Sequence, residues 1–421
     1  MEHIVINGGS RLSGKITVSG MKNAALPIIF ATILAEDVCV IENLPEIKDV
    51  TSSLEILRLM GAEVEMLDRT TVRIDTTNII CGSAPYDLST KMRGSYYVLG
   101  AEISRFGRSK SAVPGGCDFG VRPIDQHIKG FECLGAEVNI ENGCIICDCH
   151  GRPVGAPVYL DIESVGATIN IMMAACKAEG VTTIDNAARE PHIVDLANFL
   201  NACGADITGA GTNVIKIKGV GRLHGVTYAI IPDMIEAGTY MIAAAATKSR
   251  LVIDNVIPKH LESVTAKLIE MGCTVEEGDE QVIVDGRCEL RPVKVKTLPY
   301  PGFPTDMNPQ MGVLMCLANG TSIMNEGVFD NRFRYTAELA KMGAVAKVAG
   351  RVCVFEGGTL KSATVKAVDL RAGAAMVIAG LAAEGRTIIE DIRYIQRGYE
   401  DIVGKLCGVG ADMYYETVDD E

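Results

Sequence analysis

The chain has 421 residues, 48% of them apolar and 22% charged, which excludes a disordered polymer and leaves room for two or three domains with sizeable cores. A net charge of −13 with no basic stripe excludes nucleic acid as a partner. No apolar run is long enough to cross a bilayer, and Met1-Glu2-His3-Ile4 does not open a basic-then-apolar leader, so no membrane partner and a cytoplasmic location are expected. The fourteen cysteines are scattered through a large chain and are expected to be free thiols.

In chain order, strands are expected first at His3 to Asn7 and Lys15 to Ser19. Gly9-Ser10-Arg11-Leu12-Ser13-Gly14-Lys15 has P-loop spacing, but Ile16 stands where a magnesium-binding hydroxyl is needed, and Ile16-Thr17-Val18 reads as strand. A helix follows, with Leu26, Ile29, Phe30, Ile33 and Leu34 spaced to share one face. Next come a strand ending in Ile41-Glu42-Asn43 and a second helix, closed by Met60-Gly61-Ala62-Glu63-Val64. There glycine suits a left-handed cap, and the residues after it start a strand.

That closing phrase recurs at Gly135, Gly204, Gly272, Gly343 and Gly410, and the strand-ending Asn or Asp recurs upstream of most of them. The chain is therefore six copies of a unit of about 70 residues, each read as β-α-β-α-β-β and too long to be a solenoid link. Three copies per domain fit the length. The expected domains are 20–230 and 1–19 plus 231–421, with the boundary near Tyr228-Ala229-Ile230-Ile231-Pro232 and the N-terminal strands completing the last copy.

Few motifs carry chemistry. Cys144-x-x-Cys147-x-Cys149-His150 lacks a second ligand pair and suits a strand, and Gly209-x-Gly211 is weaker still, so no metal site is expected. None of the six histidines belongs to an obvious nucleophile cluster. Pro114-Gly115-Gly116-Cys117-Asp118-Phe119-Gly120-Val121-Arg122-Pro123 differs in kind. It lies in the longest interval, and Cys117 falls where other copies place Asn or Asp. This is either an exposed thiol of lowered pKa near Arg122 or a free surface cysteine in a long turn.

The starts of the first helices also differ between copies: Lys22-Asn23, Arg93-Gly94, Ser164-Val165-Gly166, Glu236-Ala237-Gly238, Thr305-Asp306 and Arg371-Ala372-Gly373. Helix N-termini attract anions, and Lys22, Arg93 and Arg371 would strengthen such a site. Ser164, Thr305 and Asp306 are expected to cap. Capping does not account for the three cations, which need an anion to offset them.

At Lys22-Asn23, Pro114-Gly115-Gly116-Cys117, Arg122-Pro123, Pro304-Thr305-Asp306, Asp369-Leu370-Arg371 and Arg397-Gly398-Tyr399-Glu400, the chain closely resembles the UDP-N-acetylglucosamine enolpyruvyl transferases, essentially from end to end. The resemblance implies an α/β fold of two inside-out α/β barrel domains, each of three repeats about a pseudo-threefold axis, with the active site in the cleft between them. It implies transfer of the enolpyruvyl group of phosphoenolpyruvate to the 3-hydroxyl of UDP-N-acetylglucosamine with release of phosphate, by a monomer without cofactor or metal. Cys117 would be the general acid and open to electrophiles such as fosfomycin. Asp306 would be the base, with Lys22 and Arg397 also catalytic. Lys22, Asn23, Arg122, Arg371 and Arg397 would bind phosphoenolpyruvate. The UDP-sugar would meet Asn23, Arg93, Arg122, Pro123, Ile124, Asp125, Gln126, Ser164, Val165, Gly166, Glu190, Asp306 and Val328. Some relatives have lysine at Ile162, so Ile162 and Glu163 could offer only backbone contacts. The rival expectations are the shikimate-pathway enolpyruvyl transferase, RNA 3′-phosphate cyclase, for which no nucleotidylation histidine is evident, and a non-catalytic UDP-sugar sensor.

Overall fold

A computed structural model describes residues 2–113 and 124–417. The chain divides into two compact units, one within 20–231 and the other formed by the N-terminal residues to 19 together with those from 232 onward. Among the described residues each unit holds three sheets.

Within a copy, the first strand and the strand after the first helix pair in parallel, the fourth strand adds antiparallel to the second, and the third adds antiparallel to the fourth. The third copy shows this plainly. Pro157–Tyr159 pairs parallel with Val181–Asp185, which pairs antiparallel with Val214–Lys218, and Asp206–Thr208 lies at the far edge. Three copies borrow strands. Thr227–Ala229 supplies the first strand of the first copy. Ser13–Thr17 pairs with Arg250–Asp254 in the fourth. Glu2–Gly8 is inserted between Gly385–Glu390 and Asp412–Thr417 in the sixth. Only the earlier N-terminal strand therefore completes the last copy; the later one enters the fourth, because its parallel partner is there. The second copy departs from the expected order: among the described residues its sheet has three strands, Arg108–Ala112, Cys144–Asp148 and Glu137–Glu141, with no parallel outer strand.

The six glycines behave as read. Gly61, Gly135, Gly204, Gly272, Gly343 and Gly410 have φ between +87° and +105°. In every copy the next residue's N–H donates to the carbonyl five residues back, as in Ala62 to Leu57 and Ala411 to Leu406, closing the helix before the strand begins. Three of the strand-ending asparagines also take positive φ, near 57° at Asn43, Asn186 and Asn255, whereas Asn325 does not. Their side-chain amides donate to Ile230, Leu160 and Val18, so each ties its strand to the chain just past its parallel neighbour.

The first helices are buried on all sides rather than on one face. In Lys22–Ala31 every residue but Asn23 is buried, and Ile33 and Leu34 fall in a following 3₁₀ turn. The cause is packing at the centre of each unit. Met234–Ala246, Asn308–Leu317 and Leu370–Ala382 pack on one another in one unit, and Tyr97–Phe106 packs on both Lys22–Ala31 and Val165–Ala175 in the other, with the sheets outside. The second helices, such as Lys48–Leu59, bury one face only.

Candidate active site

In the unit spanning 20–231, expected site residues gather at the N-terminal ends of the first helices. Lys22 opens its helix, and its ammonium pairs with Asp49 at 2.8 Å, both side chains about nine-tenths buried. Asn23 follows, half-buried. The anion needed to offset Lys22 is thus supplied in part by the protein. Asp49 is a polar residue on the buried face of an amphipathic helix, and that mismatch was its signal in the sequence.

Arg93 begins the 3₁₀ turn Arg93–Tyr96 with its guanidinium over the Tyr96 ring, 5.5 Å from the centroid. Tyr96 in turn meets His127 edge-on at 4.9 Å. Burial, then the neighbouring Arg93, push the His127 imidazole down to about 4, so it is neutral near pH 7. Neither ring nitrogen has a hydrogen-bond partner among the described residues. His127 was not singled out by sequence; its signal was a histidine on the buried side of a short helix.

Ser164 caps Val165–Ala175, accepting from the Ala167 N–H at 3.3 Å. Gly166 lies under the aromatic pair: a Cβ there would stand 2.4 Å from the Tyr96 hydroxyl and 2.9 Å from His127 Nε2. Ile124 precedes the helix Asp125–Cys133, and Gln126 bridges to a neighbouring segment, donating to Asp125 and Asp161 and accepting from the Asp161 N–H. Lys129 and Gln126 hold the Asp161 carboxyl below the usual range. Ile162 is 60% exposed, Glu163 pairs with Arg189 at 3.1 Å, and Glu190 immediately precedes Pro191–Ala202 without a side-chain capping bond. Cys117, Arg122 and Pro123 lie outside the described residues.

The other unit centres on Asp306. Its carboxylate takes Arg371 Nη2 and Nε, each at 3.1 Å, on one oxygen and Arg332 Nη2 at 3.4 Å on the other. Both arginine side chains are nearly fully buried, while that of Asp306 is 29% exposed. Thr305 and Asp306 therefore do not act as caps. The first helices of the fourth and sixth copies are capped by Asp233 and Asp369, whose side chains accept from N–H groups of the first helical turn.

Burial works against the charge on Arg371, yet nearby Tyr399 and Asp306 raise its pKa above the ordinary arginine value. Among the described residues its Nη1 has no hydrogen-bond partner, an exacting arrangement for a buried guanidinium unless an anion arrives. Tyr399 bonds Thr239 at 2.9 Å and accepts from Gln310 at 3.2 Å, fixing the ring beneath the arginine. Arg397 ends the 3₁₀ segment Ile392–Arg397 two residues earlier.

Glu326 was also missed. Its buried carboxylate accepts from Thr305 Oγ1, Asn308 Nδ2 and the N–H groups of Val328 and Phe329, so it holds both the Asp306 turn and the Val328 loop. The signal was a charge where other copies follow the strand-ending Asn or Asp with Leu44, Ala187, Val256 or Ile392.

The model of the family described as EPSP synthase (3-phosphoshikimate 1-carboxyvinyltransferase) matches residues 6–406. The chain is 53% identical to UDP-N-acetylglucosamine 1-carboxyvinyltransferase 3 of Caldanaerobacter subterraneus subsp. tengcongensis, over 98% of this chain and 99% of that one. It is 50% identical to UDP-N-acetylglucosamine 1-carboxyvinyltransferase 2 of Clostridium acetobutylicum, over 99% and 100%. Among solved structures, the enolpyruvyl transferase NikO from Streptomyces tendae superposes with a TM-score of 0.90 at 27% identity, over 99% of both chains.

Proposed function

The chain belongs to the enolpyruvyl transferase family, and on that premise we propose that it transfers the enolpyruvyl group of phosphoenolpyruvate to the 3-hydroxyl of UDP-N-acetylglucosamine, the first committed step of peptidoglycan precursor synthesis. The sugar oxygen bonds to the central carbon of phosphoenolpyruvate while the methylene carbon takes a proton. The resulting tetrahedral intermediate then loses that methyl proton and phosphate, which regenerates the double bond on the product.

In this reading Asp306 accepts the hydroxyl proton and Cys117 delivers the proton to carbon. Lys22, Arg122 and Arg397 hold phosphate and carboxylate, with Arg93 and Arg371 completing the cationic wall. Asn23, Ile124, Asp125, Gln126, Ser164, Val165, Gly166, Glu190 and Val328 take the UDP-sugar, beside Arg122 and Pro123. The Asp306 geometry supports the role: two fixed guanidiniums aim the partly exposed carboxylate and offset the charge of an arriving anion.

The observation that carries the choice of acceptor is the identity over nearly full length with two UDP-N-acetylglucosamine 1-carboxyvinyltransferases. The family model's own description favours 3-phosphoshikimate as the second reading. Phosphate release from phosphoenolpyruvate, measured with each acceptor in turn, separates the two. Strict dependence on UDP-N-acetylglucosamine is expected, and release with shikimate 3-phosphate instead would sink the proposal. We further propose a monomer acting in the cytoplasm; among the described residues no helix is long and apolar enough to cross a membrane.

A free thiol titrates near 8.5, so Cys117 would be mostly protonated at neutral pH and able to act as an acid, while nearby cations would favour the attacking thiolate. Fosfomycin should therefore inactivate the enzyme and label Cys117, and Cys117→Asp should keep activity and escape the drug. Mass mapping of the label to another cysteine would remove Cys117 from its role.

A further inference from the structure

Cys273 stands in the phrase Met271-Gly272-Cys273-Thr274-Val275, where the other five copies have Ala62, Ala136, Ala205, Ala344 and Ala411. The same copy carries a second thiol in the turn after the strand Gln281–Asp285, and the two sulfurs lie 3.9 Å apart. Both backbones are pinned around them. The Cys273 N–H donates to Leu268, Gly286 donates to Ser249, and Arg291 donates to Met271, so the 286–291 turn is tied to the cap on either side of the pair. Arg287 grips Asp285 through Nε at 2.9 Å and closes the turn. The turn packs directly on the cap: a Cβ built at Gly272 would lie 3.4 Å from the Glu289 carbonyl oxygen and 3.8 Å from the Cys288 sulfur.

We propose that Cys273 and Cys288 form an oxidisable dithiol, a modification site that takes hydroperoxide-class oxidants and closes to an intramolecular disulfide. The sulfurs need to approach from 3.9 Å to about 2.05 Å, a change that side-chain rotation supplies when the backbone already holds the two residues face to face. Access sets the order of events. Cys273 is 5% exposed whereas Cys288 is half-buried, so oxidant reaches Cys288 first. Burial, then the adjacent Cys288, also raise the Cys273 thiol above its ordinary value, which keeps it protonated until its neighbour has reacted.

The thiolate of Cys288 attacks one peroxide oxygen; the S–O bond forms, the O–O bond breaks, and the other oxygen leaves as water after taking a proton. The Cys273 sulfur then attacks the Cys288 sulfur; the S–S bond forms, the S–O bond breaks, and a second water leaves with the Cys273 proton. Two thiols lose two hydrogens in all and one peroxide is reduced to two waters. The neighbouring thiols Cys39 and Cys203 of the other unit lack this property, because both are buried and neither offers an exposed sulfur for the first step.

Trypsin cuts after Lys267, Arg287 and Lys294, so the two thiols fall on separate peptides, 268–287 and 288–294. The full-length protein is treated with a few equivalents of hydrogen peroxide, alkylated and digested without reductant. The expected result is a joined 268–287/288–294 species, lighter by two hydrogens than the sum of its parts and released by dithiothreitol. It should be absent from Cys288→Ser and from Cys273→Ala, the latter restoring the residue of the other copies, with circular dichroism confirming that both variants are folded. The proposal is overturned if the two peptides stay separate in the treated wild-type protein, if Cys288 carries a sulfinic acid without a cross-link, or if either thiol joins a different cysteine.

Discussion

Asp306 and Gly166 mark two ways in which a single residue sets the site. Asp306 shares its carboxylate between two buried arginines, and Asp306→Asn keeps its shape while removing the proton acceptor. A lost general base costs about 10²–10⁴-fold. Turnover should therefore fall by at least about 10²-fold, while calorimetric affinity for UDP-N-acetylglucosamine changes far less; unchanged turnover would remove Asp306 as the base. Gly166 acts through the side chain it lacks. Alanine in a helix gains about 1 kcal/mol over glycine, but the added Cβ would press into the Tyr96 hydroxyl and His127, and overpacking a tight core costs about 1–3 kcal/mol. Gly166→Ala is expected to lower the urea midpoint of unfolding, because the clash falls on side chains that are themselves buried.

At the scale of elements, the second copy's sheet has no parallel edge strand among the described residues, and a side chain ties its neighbourhood together instead. Where the other sheets have a parallel edge, buried Glu102 on the helix Tyr97–Phe106 accepts from the Gly82 N–H at 2.7 Å and the Lys110 N–H at 3.2 Å. One carboxylate thus joins the 78–84 segment to Arg108–Ala112, the strand that leads to the Cys117 segment. Burial is the largest influence on this carboxyl and raises it from 4.5 to about 7, although both backbone donors favour its charge. The linkage has a definite sign. Below pH 4.5 the group is protonated in folded and unfolded chains alike. Between 4.5 and 7 only the unfolded chain ionises, so the stabilisation present at low pH is lost as pH rises through that window. The shift corresponds to about 3 kcal/mol. Relative to Glu102→Gln, the wild-type protein should lose stability by roughly that amount between pH 4.5 and 7, as read from denaturant unfolding at each pH; a constant difference would refute the linkage.

For the whole molecule, the chain ends are structural members of distant copies. Glu2–Gly8 lies between Gly385–Glu390 and Asp412–Thr417, and Ile6 within it is fully buried. Ile6→Ala should cost about 2–5 kcal/mol and speed amide hydrogen exchange in 385–390 and 412–417, some 400 residues along the chain, before it affects the sheets within 20–231. Faster exchange confined to the N-terminal strand would contradict this. The chain passes from one unit to the other after Ser19 and again after Ile231, so Ser13–Thr17 and Glu2–Gly8 precede the first unit in sequence yet belong to the second, one as a parallel edge strand and the other between two antiparallel neighbours.

The sequence by itself determined the six copies, their caps and the cationic helix starts, because left-handed glycines and 3.6-residue periodicity are local requirements that leave local marks. It also marked Glu326, had the copies been compared at that position. Tertiary structure alone decided that the first helices are buried all round, that Asp49 neutralises Lys22, that Asp306 serves two arginines instead of a helix cap, and that Ser13–Thr17 belongs to the fourth copy. Each of those depends on a partner beyond the reach of any local pattern, in the same copy for Asp49 and Arg332 and in another copy for Arg371 and Ser13–Thr17, and no short-range pattern encodes which residue that partner will be.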